Sequence, residues 1–453
     1  MQPNLTTYQG GTHPVKKQPW LRMLALLMAL AMAAAACGGS SDDDDDAGTT
    51  TTAADDGGDD GGEEPAGDPE PTAGFDGTTI RLGALTPTSG PAAIIGNPLT
   101  KGNEVYFEAL NAQGGVAGKY QVELDIRDSA YAEATAIQEY NAGKGDVVMY
   151  VQILGTAIIK AVLSQMMQDD IVASPATLDA DWIAEENLLP IGGPYQIQVI
   201  NGLDWYVNED GGAGTKVCML AQDDPYGDAG EEGVDHAASE LDFEQGPRVD
   251  FAVGTPDFTT QINQLEGGDC EAVVLVATPL DAAGALGRAA QAGYAPRWLV
   301  VSPGFLKLLY AGDLAPYAAE NVRVLSEGAN WGDESVPGMA QMVADLEEYG
   351  DGQEPDPYFA FGYNQARAVH QVLEKAVEMG DLSKEGIKAA MGELGTITFD
   401  GLLGDYEYGS GPADRNPPRT STIFQFDADA PTGLTSVTDS FASEAAESFD
   451  FGN

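Results

Sequence analysis

The sequence predicts an α/β protein of two doubly wound lobes, and three observations carry that reading. Short apolar, β-branched runs alternate with longer amphipathic stretches, the pattern of βαβ units on a parallel sheet. The alternation runs through once, pauses, and restarts after Tyr195–Glu209. With a leader and an acidic stalk set aside, about 375 residues remain, the length of two ordinary domains.

The leader comes first. Lys16, Lys17 and Arg22 precede an uncharged apolar run, Met23 to Ala36, and Cys37 follows. Basic residues, an apolar run of that length and small residues before a cleavage point predict a secretory signal peptide over 1–36. The run is too short for a membrane span of about 20 residues. Ala34-Ala35-Ala36-Cys37 resembles a bacterial lipobox, in which the cysteine becomes the lipid-carrying first residue, although Ala34 stands where Leu is usual. The alternative is an ordinary signal peptide with an incidental cysteine. A soluble spacer begins at once after Cys37, as a tether requires, so lipidation is the expectation. That places the chain outside the cytoplasm, held at the outer face of the cell membrane.

The spacer runs over 38–77, opens with five aspartates, Asp42 to Asp46, and has Phe75 as its one aromatic. Such a segment buries too little apolar area to offset its chain entropy, so disorder is expected.

The first array reads as strands at Thr79–Leu85, Gln121–Arg127, Val147–Leu154 and Ile171–Ser174. Helical patterns lie between them at Pro98–Asn111, Ala132–Ala142 and Thr156–Gln168, with Pro98 as a first-turn proline. The helix Tyr195–Glu209 leads into a second array. Its strands are Lys216–Ala221, Arg248–Val253, Ala272–Thr278, Trp298–Ser302 and Val322–Ser326. Its helices are Tyr226–Leu241, Asp257–Leu265 and Leu280–Ala292, with Asp257 as an N-cap and Gly267-Gly268 as a stop. Helices at Pro337–Tyr349 and Phe361–Met379 and a strand at Thr422–Phe426 complete the pattern. The late helices and returning strand bound one lobe at 78–197 with 329–418 and the other at 198–328 with 419–453.

Composition narrows the function. The chain carries 21 basic and 72 acidic residues, a formal charge of −51, and most of that excess lies outside the stalk. Such a surface argues against nucleic acid and against anionic membrane surfaces as partners. Of three cysteines, Cys218 and Cys270 remain once Cys37 is lipidated, and a disulfide between them is expected over two free thiols. The histidines His13, His236 and His370 are scattered, so no metal site is expected and no cofactor is implied.

Several segments then carry a resemblance: Thr79–Ala93 (TIRLGALTPTSGPAA), Ala109–Gly118 (ALNAQGGVAG), Leu154-Gly155-Thr156, Ser174–Thr177, Gln222–Gly227 (QDDPYG), Asp257–Gln261 and Ala360–Asn364. In this order they resemble the leucine/isoleucine/valine-binding protein family, the type I periplasmic binding proteins of ABC importers. The resemblance spans about residues 78–430. It implies two Rossmann-like lobes, three hinge crossings, a ligand held in the cleft between them, permease subunits as partners and a monomeric receptor.

Ligands of open α/β sheets bind beyond the carboxyl ends of the strands, where helix N-termini offer unpaired N–H groups to an anion. Gly155-Thr156 lies at such a junction, and Ala176-Thr177 follows the next strand. Ser89 belongs to the first loop, while Tyr226 and Thr278 occupy equivalent strand ends in the second lobe, Tyr226 matching the family residue that closes over the ligand. Each hydroxyl has a bland alternative as an N-cap or turn residue. Amino-acid-specific members of the family place a carboxylate in the loop after the fourth strand of the second lobe. Here that loop is Ser302–Leu306, with no acid before Asp313. An unpaired buried ammonium is strongly disfavoured, so the acid is Glu327, Asp223 or Asp224, or the ligand has no amino group. Phe305 and Trp331 point to a larger or aromatic ligand, or else are core. The expected function is solute binding for an importer, the ligand being a small carboxylate, amino acid or amide. A sensory receptor on the same fold is the alternative. A hydrolase is disfavoured because no G-x-S-x-G or H-E-x-x-H occurs.

Overall fold

The computed structural model describes residues 67–452. Its first sheet is parallel, in the order β2-β1-β3-β4, built from β1 (Thr79–Thr86), β2 (Gln121–Asp128), β3 (Met149–Leu154) and β4 (Ala173–Ala176). Crossover helices α1 (Ala93–Ala112), α2 (Glu133–Gly143) and α3 (Thr156–Asp169) connect them. Every residue of β3 is buried, as befits an inner parallel strand covered on both faces.

After α4 (Tyr195–Glu209) comes a second sheet: β5 (Lys216–Gln222), β6 (Glu244–Phe251), β7 (Ala272–Val276), β8 (Arg297–Val301) and β9 (Val322–Ser326). Helices α5 (Pro225–Glu240), α6 (Thr259–Gly267) and α7 (Pro279–Ala292) cross between the strands, and short α8 (Lys307–Tyr310) and α9 (Ala315–Asn321) precede β9. The chain then returns to the first sheet with α10 (Met339–Tyr349), α11 (Pro357–Glu378) and α12 (Lys384–Gly392), followed by the antiparallel pair β10 (Gly395–Ile397) and β11 (Tyr406–Gly409). It ends on the second sheet, where β12 (Thr422–Phe426) pairs antiparallel with β9 and β13 (Leu434–Ser436) with β12, before α13 (Glu444–Glu447). The seven strands run in the order β13-β12-β9-β8-β7-β5-β6. This is the two-lobed α/β architecture expected.

Four expectations need correction. Pro98 lies inside α1 rather than in its first turn, because the helix begins at Ala93. The strand expected from Arg248 begins at Glu244 and includes Pro247. It lies at the sheet edge with a register break between its pairings to Val217 and Met219, where a missing N–H is tolerated. Asp257 stands one residue outside the cap position, which Phe258 takes, and its carboxylate accepts from Thr259 N–H at 2.9 Å. The spacer was expected to stay disordered to 77. Instead Phe75 is buried against Tyr120, ring centroids 5.2 Å apart, and Gly74 O accepts from Arg81 N–H.

Two features set the positions used below. α11 crosses α1 through glycine: a Cβ on Gly102 would lie 2.2 Å from Phe359 O, and one on Gly362 1.9 Å from Leu99 O. Backbones that close leave α11 one seat on the lobe. On the second sheet, Cys218 in β5 is bonded to Cys270, next to neighbouring β7, with Cα atoms 5.7 Å apart.

Candidate ligand cavity

The ends of β3 and β4 supply the polar part of a cavity. Gly155 joins β3 to α3 at φ 110°, a region that favours glycine, and a Cβ there would meet the Tyr131 ring at 2.7 Å. α3 has no side-chain cap, so its first-turn N–H groups and positive dipole end stay open. Thr156 opens that helix, and its Oγ1 lies 2.6 Å from Oγ1 of Thr177. Thr177 also stands beside the Tyr195 hydroxyl, which burial pushes up to about 12 while Thr177 opposes the shift. Tyr226 stacks beside Tyr195, centroids 4.8 Å apart, and its buried hydroxyl meets no hydrogen-bond partner among the described residues. Two linked hydroxyls, those of Tyr195 and Tyr226 beside them and an open helix start make one end of the cavity neutral and rich in donors.

The second sheet's strand ends face the same cavity with their polar atoms already engaged. Asp224 caps α5 by accepting from Tyr226 and Gly227 N–H, and also accepts from Gln222 Nε2. Gln222 Oε1 accepts from Thr278 N–H at 2.7 Å, and Thr278 Oγ1 donates to Asp281 at 3.0 Å. Burial raises the Asp281 carboxyl. The loop after β8 offers Pro303 and Phe305, whose carbonyls accept from the Tyr358 hydroxyl at 2.8 and 2.9 Å. Tyr358 stands at the start of α11, so this one hydroxyl ties the two sheets' systems together.

The remaining wall is mainly apolar, with Trp331, Met339, Met342, Leu402, Phe424 and Leu434 prominent. Water-sized sphere centres have about 170 Å³ of room. At roughly 10–15 Å³ for each water that is about a dozen waters, or a ligand of about ten non-hydrogen atoms. Among the described residues, Glu327 is the one charged residue in the wall. Its Oε2 accepts from Gly193 N–H at 2.7 Å, and Oε1 lies so near Gly192 that a Cβ there would sit 2.1 Å from it. Burial raises this carboxyl to about 7, the Gly193 bond opposing the shift.

Of the sequence-stated positions, Gly155, Thr156, Ala176, Thr177, Tyr226, Thr278, Phe305 and Trp331 all line this cavity. Ser89 does not: its hydroxyl donates to Asp128 at 2.6 Å in an exposed turn. Asp223 lies outside the wall and Asp224 is committed to its cap. Cys37 falls outside the described residues. Tyr131, Tyr195, Tyr358 and Asn364 were not anticipated. A signal for two of them is in the sequence: Pro-Tyr occurs at 194–195, 225–226, 316–317 and 357–358, each at a helix start, and three of the four tyrosines line the cavity. Proline at the helix start fixes the backbone, and the tyrosine after it projects from the first turn.

A family model described as periplasmic binding protein matches residues 79–431. The Leu/Ile/Val-binding protein homolog 3 of Brucella melitensis is 27% identical over 107 residues, 23% of this chain and 29% of that relative's length. The fold is shared with a fatty acid ABC transporter substrate-binding protein from Thermomonospora curvata: TM-score 0.79, 24% identity, 84% of this chain and 96% of that one. A branched chain amino acid ABC transporter protein from Thermus thermophilus with bound valine gives TM-score 0.69 at 19% identity, covering 82% and 97%.

Proposed function

We propose that this chain, which belongs to the periplasmic binding protein family across residues 79–431, is the extracytoplasmic receptor of an ABC importer and closes on a carboxylic acid with an apolar body. The observation that carries the reading is the open start of α3 beside the linked hydroxyls of Thr156 and Thr177 and the hydroxyl of Tyr195, in a wall with no lysine or arginine among the described residues. Gly155 and Thr156 N–H groups, those hydroxyls and Tyr226 bind the carboxylate, as helix starts bind anions. Ala176, Thr278, Phe305 and Trp331 shape the body of the site. The acid in the wall, Glu327, holds Gly193 N–H with Oε2 and leaves Oε1 without a hydrogen-bond partner among the described residues, but burial draws its carboxyl toward the neutral form, a weak counter-charge for an ammonium group. An aliphatic acid suits the mainly apolar wall, and among the relatives this favours the Thermomonospora protein's named ligand class over valine.

The lobes, 78–197 with 329–418 and 198–328 with 419–453, close about crossings near Gly193, Glu327 and Pro418, and the closed monomer delivers its ligand to permease subunits. A lipid on Cys37, behind a signal peptide over 1–36, holds it to the membrane.

Calorimetry of the folded protein with octanoate, leucine and valine tests the ligand. Octanoate is expected to bind at least ten-fold more tightly than either amino acid. Tighter binding of leucine or valine overturns the reading. Membrane fractionation of Cys37→Ser tests the anchor, which fails if the variant stays membrane-bound and fully processed.

A further inference from the structure

Asn364 lies in the cavity wall and is only 2% exposed. Its Nδ2 donates to Ala360 O, one turn back on α11, at 2.9 Å. That bond fixes the amide's orientation, because the opposite one would set Oδ1 against a carbonyl. Oδ1 therefore faces away from its own helix, and it meets no hydrogen-bond partner among the described residues. The close glycine crossing of α1 and α11 seats the helix that carries it. A buried acceptor without a partner is costly, and a ligand that supplies a donor recovers that cost.

The ligand class follows from the kind of donor wanted. A carboxylate has none, so a plain acid satisfies the Thr156–Thr177–Tyr195 cradle and leaves Asn364 unmet. An ammonium is also a donor, but a neutral amide gives it no counter-charge, and Glu327, the acid in this wall, is drawn by burial toward its neutral form. A hydroxyl is a neutral donor. We propose that Asn364 reads a hydroxyl group on the ligand's aliphatic body, making the natural ligand a hydroxylated aliphatic carboxylic acid. This rests on the carboxylic-acid reading above.

The experiment is calorimetry of the protein with octanoate and with its 3-, 5- and 8-hydroxy derivatives, on the natural chain and on Asn364→Leu and Asn364→Ala. One hydroxy isomer is expected to bind the natural protein about ten-fold more tightly than octanoate. That ratio should fall to about one in both variants. The ratio is the readout, so a general loss of affinity in a variant does not obscure it. Should neither variant fold, the ratio on the natural protein still decides. Octanoate binding with no isomer preferred, or a preference that survives both variants, overturns the inference and leaves the acid reading standing, with a water as the partner of Asn364. Binding of neither octanoate nor any isomer overturns both.

Discussion

The two sheets end at one cavity and dispose of their polar groups in opposite ways. Beyond β3 and β4, the hydroxyls of Thr156 and Thr177 meet each other and Tyr195 at the mouth of an uncapped helix. Beyond β5 and β7, Gln222, Asp224, Thr278 and Asp281 bond among themselves and to backbone N–H groups. The residue at the helix start makes the difference. Gly155 has no side chain and leaves the donors of α3 open, whereas Asp224 consumes those of α5. A glycine at an N-cap thus keeps donors for a ligand, and an acid there turns the same topological position into scaffold.

If that division holds, damage to the second sheet should cost stability and spare affinity. Its largest test is the disulfide, whose cysteines are 52 residues apart. The chain-entropy account gives about 4 kcal/mol for a loop of that size. Denaturant titration with and without reductant should show a loss of that order while the affinity of the folded fraction moves little. A parallel collapse of affinity would break the comparison.

Glu327 is a special case, an acid in the cavity wall that serves the backbone. Its carboxyl is raised to about 7, mainly by burial. The folded state therefore holds a proton that the unfolded chain has released between the ordinary glutamate range and neutrality. Its contribution is full below pH 4.5 and is lost as pH rises through about 7, a change of about 3 kcal/mol. Glu327→Gln keeps an acceptor for Gly193 and does not titrate. It should melt above the natural protein at pH 8, with the gap shrinking toward pH 5. A gap independent of pH would show that the group does not titrate in this range.

On the first sheet the order reverses. Thr156→Ala removes a bond to an ionised group worth about 1.5–3 kcal/mol, a ten- to hundred-fold loss of carboxylate affinity. Calorimetry measures that loss, which should exceed the roughly 1 kcal/mol of stability given up with the bond to Thr177. The smallest effect is the mirror case. Thr278→Ala loses the bond to Asp281 and about 1 kcal/mol of stability, with affinity changed less than three-fold. A ten-fold loss of affinity there would make the second sheet's ends ligand-reading after all.

Legibility in the sequence follows the same physical divide. Tyr195–Glu209, Val322–Ser326 and Thr422–Phe426 can be bounded from pattern alone, because each is a largely buried run flanked by glycine or polar residues. α12 escapes, a nine-residue helix with glycines at 386 and 392, and so does the pair β10 and β11, of three and four residues. Elements that short carry too few repeats to declare a period. Within the cavity, Gly155 and Thr156 are legible because a strand-to-helix junction is a local event. Asn364 and Tyr358 are not, since their aim depends on how α11 seats against α1 at Gly102 and Gly362, more than 250 residues apart in the chain.

The bridge between Cys218 and Cys270 also has a consequence for biogenesis. It links neighbouring parallel strands toward one edge of the second sheet, so that sheet reaches full stability only after both thiols are oxidised. In a reducing compartment the nascent protein commits less firmly to its native shape, and remains easier to hold open for export. Oxidation on the far side then acts as a ratchet, closing the way back once the polypeptide has arrived where it works.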